Sequence, residues 1–311
     1  RLSAAKSIRH RHNQYDQLER LIEISHTEYE RIIIVTESIF SMDGDQADLP
    51  ALTELKRRYG NVLLYVDEAH AFGVRGRQGL GCAEESGCTG DIDFLVGTFG
   101  KAAASAGAYI VCRKVIREYL VNRMRTLIFT TGLPPVNIAW TLFVVRRLAD
   151  MRERREHLAH ISRTLREALQ AQGYTCPGAS HIVPMIIGQS ADTVLKAETL
   201  QRHGFYALPV RPPTVPEGTS RIRFSLTADI RQEEIEELKR LNQMFADILC
   251  QLRGATTNIN QIARKLHTDG EIPNDSMLYF LNKNILKYRK ESERIWQLIR
   301  RLISGQIHME Q

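Results

Sequence analysis

The sequence predicts an α/β protein in three parts: a mostly parallel sheet covered by helices, a smaller α+β unit, and a helical tail. Two observations carry this expectation. Short apolar runs (Ile32-Ile33-Ile34-Val35, Val62–Val66, Phe94–Val96) alternate with helical patterns over the first half, as parallel strands with covered faces do. Past Met151 the order changes to strand, helix, strand, strand, helix, and a polar linker, Gly254-Ala255-Thr256-Thr257, then precedes a last amphipathic stretch. The expected boundaries are residues 1–150, a partial large domain; 151–252, an α+β domain; and 253–311, the tail.

In chain order, the β-branched run at Ile32–Val35 reads as a buried strand. A turn at Asp43-Gly44-Asp45 leads to a helix over Leu49–Arg58. Val62–Val66 is the second strand, and Asp67 follows it directly. Phe94–Val96 is the third, and Tyr109–Cys112, entered through Gly107, the fourth. Pro134-Pro135 opens a long helical region that runs, with room for a break, to about Gln172, where Gly173 closes it. Then come a strand at Ile182–Ile187, a helix at Ala191–His203, strands at Phe205–Val210 and Arg221–Leu226, and a helix at Gln232–Cys250. In the tail, Asn258–His267 is helical, a loop carries Pro273, and Met277–Ile303 is one helix with Ile285, Ile295, Ile299 and Leu302 on its apolar side. No internal repeat is present.

The formal net charge is +6, with basic clusters at Arg152–Arg155 and Lys283–Arg301 that read as solvated helix faces. Five scattered cysteines, without a C-x-x-C pair, point to reduced thiols in a cytoplasmic setting and give no reason to expect a disulfide frame or a metal site. No stretch is long and apolar enough to span a bilayer, so no membrane partner is expected. The chain opens on Arg1 without a start signal and reads as a fragment of something longer.

Two short motifs carry chemistry. Val66-Asp67-Glu68-Ala69-His70 puts an acid at the end of the second strand and a histidine three residues on. Gly97-Thr98-Phe99-Gly100-Lys101 puts a hydroxyl and an amine just past the third, followed by small residues from Ala102 to Gly107. A pyridoxal phosphate site asks for these groups: a lysine to form an imine, an acid beside the pyridine nitrogen, and hydroxyls or backbone N–H groups for phosphate. Open parallel sheets present them at the carboxyl ends of strands. Each piece alone has a plainer reading. Asp-Glu-Ala-His can be a capped strand end, and Gly-Thr-Phe-Gly-Lys a polar turn. Asp-Glu-Ala-His also occurs in helicases, but no G-x-x-x-x-G-K-[ST] loop precedes it here. The ordered combination is more specific than either piece.

With these stand Thr36-Glu37-Ser38-Ile39-Phe40-Ser41-Met42-Asp43-Gly44-Asp45, Gly76-Arg77-Gln78-Gly79-Leu80-Gly81 and Arg211-Pro212-Pro213-Thr214-Val215-Pro216. On these segments, residues 1 to about 250 resemble the α-oxoamine synthase family of fold-type I pyridoxal phosphate enzymes. The similarity is greatest to its biotin-pathway members, with glycine-acetylating members as the alternative. The resemblance implies that Lys101 carries the cofactor and later moves the Cα proton. It pairs Asp67 with the pyridine nitrogen, sets His70 and Ser41 at the ring's oxygen side, and gives Thr98 to the phosphate. Thr130 and Thr131 would reach the phosphate in the partner subunit of a homodimer. Arg223 would clamp the amino-acid carboxylate, a choice over Arg221 made by resemblance because both share one strand face, and Thr214 would lie near the second substrate. The implied substrates are L-alanine and pimeloyl-CoA or pimeloyl-carrier protein, joined with loss of carbon dioxide. His10, His12 and Arg221 read as surface residues, His181 as structural, and the cysteines as packing.

Members of this family begin well before the position matching Arg1, with a glycine-rich turn and a ring-stacking histidine. The expectation is therefore an open cofactor site, an exposed sheet edge and weak or absent activity for the chain alone. The tail departs from the family. Thr257–Lys265 is similar to plasmid mobilisation proteins of the MobC type, which implies contact with DNA or a relaxase. A packing or oligomerisation helix is the alternative. A second functional reading follows, in which an enzyme remnant carries a working tail. An aminotransferase fits the motifs less well.

Overall fold

The structure, a computed structural model, describes residues 4–244. The chain enters through α1 (Tyr15–Ser25), whose Leu18 and Ile22 are one turn apart and both buried. β1 (Ile32–Glu37) leads to α2 (Leu49–Arg58). This helix starts where Asp48 accepts the Ala51 N–H at 3.0 Å, has Pro50 in its first turn, and ends on Lys56, Arg57 and Arg58, as capping and the helix dipole favour. β2 (Val62–Asp67), a short α3 (Cys82–Glu85), β3 (Phe94–Thr98) and β4 (Ala108–Cys112) complete one sheet in the order β1-β2-β3-β4.

β1, β2 and β3 are parallel, and β4 runs antiparallel to β3. Residues 99–107 are too few for the crossover that a parallel partner needs, so the chain turns back on itself. The expectation of a buried first strand needs correction. β1 is an edge strand covered on one face: Ile34 is 4% exposed, while Ile33 and Val35 are 52% and 63% exposed.

α4 (Lys114–Arg123) and the short α5 (Arg125–Ile128) follow, and neither buries a residue. α6 (Pro135–Arg147), a 3-10 turn at Leu148–Met151 and α7 (Arg152–Ala171) form the long helical region with its break. Next come β5 (Ile182–Gly188), α8 (Ser190–Arg202), β6 (Leu208–Val210) and β7 (Ser220–Ser225), then a helix from 232 to the end of the described residues. β6 is shorter than expected because the Phe205 N–H closes the end of α8 on the Leu200 carbonyl. β5, β7 and β6 make an antiparallel sheet. Its core takes Leu158, Ile161, Leu165 and Leu169 from one stripe of α7, with Met185, Ile222 and Phe224 from the sheet. The remainder of the expected helix to Cys250, the linker and the tail lie outside the described residues.

The loop after β1 joins the two sheets. Gly44, at φ +65°, offers its carbonyl to the Ala179 and Ser180 N–H groups, both at 3.3 Å, and any Cβ there would collide with the Ile182 carbonyl. Ile182 packs in the core of the first sheet although it begins β5 of the second. The strand ends of one sheet are thereby brought beside β7 of the other. Among the described residues, no helix is long and apolar enough to cross a membrane.

Candidate active site

The register of the parallel strands sets three polar side chains in a row. Glu37 pairs with Asp67, Asp67 with Val96, and Thr98 ends β3 two residues later. Beyond Asp67 the chain turns at once. Asp67 Oδ1 accepts the Ala69 N–H at 2.8 Å, and the Glu68 carbonyl accepts from Ala71 and Phe72 at 2.9 and 2.8 Å. Beyond Thr98 a second tight loop forms. The Thr98 hydroxyl donates to the Gly107 carbonyl at 3.1 Å and accepts from Gly100 N–H at 3.2 Å. The two loops bring His70 and Lys101 to one cleft of about 810 Å³, shared with His181 and Arg223 and walled by Phe72 and Trp140.

The groups in this cleft feel one another. Burial lowers the Lys101 pKa from its ordinary value, Asp67 and Glu37 pull it back up, and Arg223 lowers it further. A lysine with a depressed pKa keeps a larger neutral, nucleophilic fraction near neutral pH. Burial raises Glu37, and Asp67 beside it adds to the effect. His70 is pushed down to about 4, first by burial and then by Lys101 and Arg223. His181 is also pushed down to about 4, by burial and then by His70, Arg223, Arg75 and Lys101.

Both imidazoles are therefore neutral in the folded protein at pH 7. A measurable pH dependence follows. The unfolded chain takes up these protons near the ordinary value of 6.5 and the folded chain only near 4. Stability from this source is complete above about 6.5 and is lost as pH falls from there through 4. The thermal midpoint is expected to drop across that window, with a shallower drop in His181→Asn. Equal slopes in the two proteins would remove His181 from the account.

Arg223 lines the cleft, and it already has partners. Its Nε donates to the Ser41 carbonyl at 2.6 Å and its Nη1 to the Ser225 hydroxyl at 2.6 Å. Ser41 thus reaches the site through its backbone. Arg221, expected at the surface, is 5% exposed and ion-paired with Asp43. His12 is likewise partnered, its Nε2 lying 2.6 Å from Asp45 Oδ2. Thr130 and Thr131 are exposed between α5 and α6, and Thr214 is exposed in a turn whose N–H bonds the Arg211 carbonyl at 3.0 Å. None of these three threonines lines the cleft with Lys101. His181 does line it, and among the described residues its buried Nδ1 has no partner. The signal available in the sequence was its place at the start of a strand that pairs with the strand of Arg223. Glu37 was the other omission, sitting one strand over from Asp67.

Comparison with known proteins agrees with this geometry. Residues 1–240 match the family model described as aminotransferase class I and II, and residues 249–277 match that of the bacterial mobilisation protein MobC. A Pasteurella multocida protein with the provisional name 8-amino-7-oxononanoate synthase is 54% identical over 248 residues, covering 79% of this chain and 64% of the relative. This chain thus spans under two thirds of that relative's length. Among solved structures, a Sphingomonas wittichii serine palmitoyltransferase superposes with a TM-score of 0.74 at 32% identity, over 78% of this chain and 61% of that one. A serine palmitoyltransferase solved with pyridoxal phosphate gives 0.71 at 30% identity, over 77% and 60%. The chain belongs to the aminotransferase class I and II family, whose cofactor is pyridoxal 5′-phosphate.

Proposed function

We propose that the chain carries the site of an 8-amino-7-oxononanoate synthase, which condenses L-alanine with a pimeloyl thioester and releases carbon dioxide. The observation that carries this reading is the meeting of Lys101, His70 and Arg223 in one cleft at the strand ends, with Asp67 close enough to shift the lysine. The donor set fits pyridoxal phosphate. A lysine with a depressed pKa can bond the aldehyde, an acid stands at a parallel strand end, and Ala102, Ala103 and Ala104 leave room along the cleft. When bound, the cofactor supplies an electron sink for charge developing at the amino-acid Cα.

The chain's own residues do the rest. Lys101 would hold the cofactor, and its amine, once released by the incoming substrate amine, would take the Cα proton. Asp67 keeps the pyridine nitrogen protonated. His70, neutral at working pH, can donate or accept one hydrogen bond at the ring oxygen together with Ser41. Thr98 would serve the phosphate by turning its hydroxyl away from the Gly107 carbonyl, and Thr130 and Thr131 would reach it from a partner subunit. Arg223 exchanges its Ser41 and Ser225 partners for the substrate carboxylate, which its planar fork binds through two N–H groups. Thr214, outside the cleft in this chain, would contact the acyl donor. The name of the Pasteurella multocida relative favours pimeloyl over acetyl as the acyl group.

The test is incubation of the chain with pyridoxal phosphate, L-alanine and pimeloyl-CoA, following free thiol and carbon dioxide. Release of both in equal amounts supports the reading, and release with glycine and acetyl-CoA instead would replace it. A second reading rests on the MobC match at 249–277, which favours contact of the tail with DNA or a relaxase. A salt-dependent shift of duplex DNA by the full chain, with no condensation, would favour it.

A further inference from the structure

The segment Gly76-Arg77-Gln78-Gly79-Leu80-Gly81 and the acid Glu68 take no part in the chemistry above, yet they are built together beside it. Glu68 is fully buried and does not line the cleft. Its Oε2 accepts from the Ser38 hydroxyl at 2.7 Å and the Cys82 N–H at 3.0 Å, and its Oε1 from the Ala83 N–H at 2.6 Å. Its own N–H donates to the Val96 carbonyl at 2.7 Å. One residue therefore ties the segment after β1, the end of β2, the end of β3 and the start of α3. Gly81, at φ +115°, passes so close that a Cβ there would sit 2.5 Å from Glu68 Oε2. Glu84 secures the other side of the loop by accepting from Gln78 and Leu80 N–H at 2.8 and 2.9 Å.

Burying a carboxylate is costly, and the cost is offset only when donors surround it. Burial raises Glu68 from its ordinary value, while Ser38, Ala83, Cys82 and then Arg75 pull it down. The residue stands between Asp67 and His70, the two groups whose aim at the cleft matters. Asp67 is bonded directly to this rigidly held residue and His70 follows after Ala69 alone, so both have little freedom to swing.

We propose that Glu68 is a positioning residue: its carboxylate, bridging Ser38 to the Cys82 and Ala83 N–H groups, fixes the turn 67–70 and so aims Asp67 and His70 at Lys101. The proposal rests on the pyridoxal phosphate reading for its consequence in catalysis, but its geometry can be tested without cofactor.

The substitution is Glu68→Gln, which keeps the size but turns one acceptor into a donor facing another donor. Glu68 is not among the charges that shift His70, so a change at His70 reports position, not lost charge. The readout is the His70 titration followed by imidazole proton NMR on the full chain. The midpoint, about 4 in the parent, is expected to rise by about one unit or more toward 6.5 as His70 moves out of its buried place. Ser38→Ala, which removes one of the three donors, is expected to give a smaller shift in the same direction, and it carries the test if Glu68→Gln does not fold. An unmoved His70 midpoint in a folded variant overturns the proposal. A pyridoxal phosphate titration separates the two ideas. If the parent shows no absorbance band from lysine-bound cofactor while His70 still shifts, the cofactor reading fails and the positioning role stands. If the band is present and His70 does not move, the reverse holds.

Discussion

Lys101→Ala is expected to abolish the visible absorbance band that forms on adding pyridoxal phosphate, and to reduce condensation by at least about 1,000-fold, since in the proposed function one residue supplies both the covalent attachment and the proton transfer. Among the described residues, Lys101 is the one lysine that lines the cleft. Its amine is kept below its usual pKa by burial, which favours the neutral form that attacks an aldehyde. A competitor exists in the other unit. Lys196 is 9% exposed and its amine is pushed down to about 8 by burial, so it too has an unprotonated fraction near neutral pH. Lys196 approaches the Tyr174 hydroxyl at 2.6 Å and lines no part of the cleft. Borohydride reduction followed by peptide mapping separates the two lysines. Label at Lys101 that disappears in Lys101→Ala supports the site, and label retained at Lys196 with an unchanged band would move the cofactor out of this cleft.

The motifs that placed this site were legible because the residues concerned are close in sequence and follow apolar runs. Asp67 to His70 and Thr98 to Lys101 each lie within four residues of a strand end, and strand ends of a parallel sheet are where ligands are met. α2 was legible to the residue, because Asp48, Pro50 and the basic last turn mark both of its ends. Features that depend on distant partners were not. Arg221 looks like any charged residue on a strand until its partner Asp43, 178 positions earlier, is brought beside it. His181 is placed by the chain just past β7, where Leu226 N–H bonds its carbonyl at 3.1 Å. α4 carries apolar residues at helical spacing, Val115 with Tyr119 and Ile116 with Leu120, but none of its residues is buried. The direction of β4 followed from loop length, a count available in the sequence once the residues 99–107 are taken as one connection. Thr130, Thr131 and Thr214 came from family resemblance, and among the described residues none of them lines the cleft with Lys101.

The Arg221–Asp43 pair leads to an asymmetric prediction, because the two partners differ in what each would face alone. The Arg221 side chain is 6% exposed and that of Asp43 39%. Asp43→Ala leaves a guanidinium buried with only the Thr219 carbonyl, which Arg221 Nε meets at 3.1 Å. Stranding a buried charge is worse than losing an attraction, so this variant is expected to lose about 2–4 kcal/mol of stability. Arg221→Met removes the buried charge and keeps an apolar stem, and Asp43 can turn to water. A loss of about 1 kcal/mol or less is expected for it. The double variant is expected near Arg221→Met, since the stranded charge is gone. Urea unfolding of the four proteins gives the cycle directly. Equal losses in the two single variants would mean that the pair acts as a surface bridge. The pair also bears on the site. Asp43 is two residues from Ser41, whose carbonyl holds Arg223, and Gly44 between the two sheets is fixed by backbone contacts on the far side. Freeing Asp43 loosens the segment that keeps Arg223 in place. Asp43→Ala is therefore expected to weaken carboxylate binding more than cofactor binding, which appears as a raised KM for the amino acid with the lysine-bound band retained.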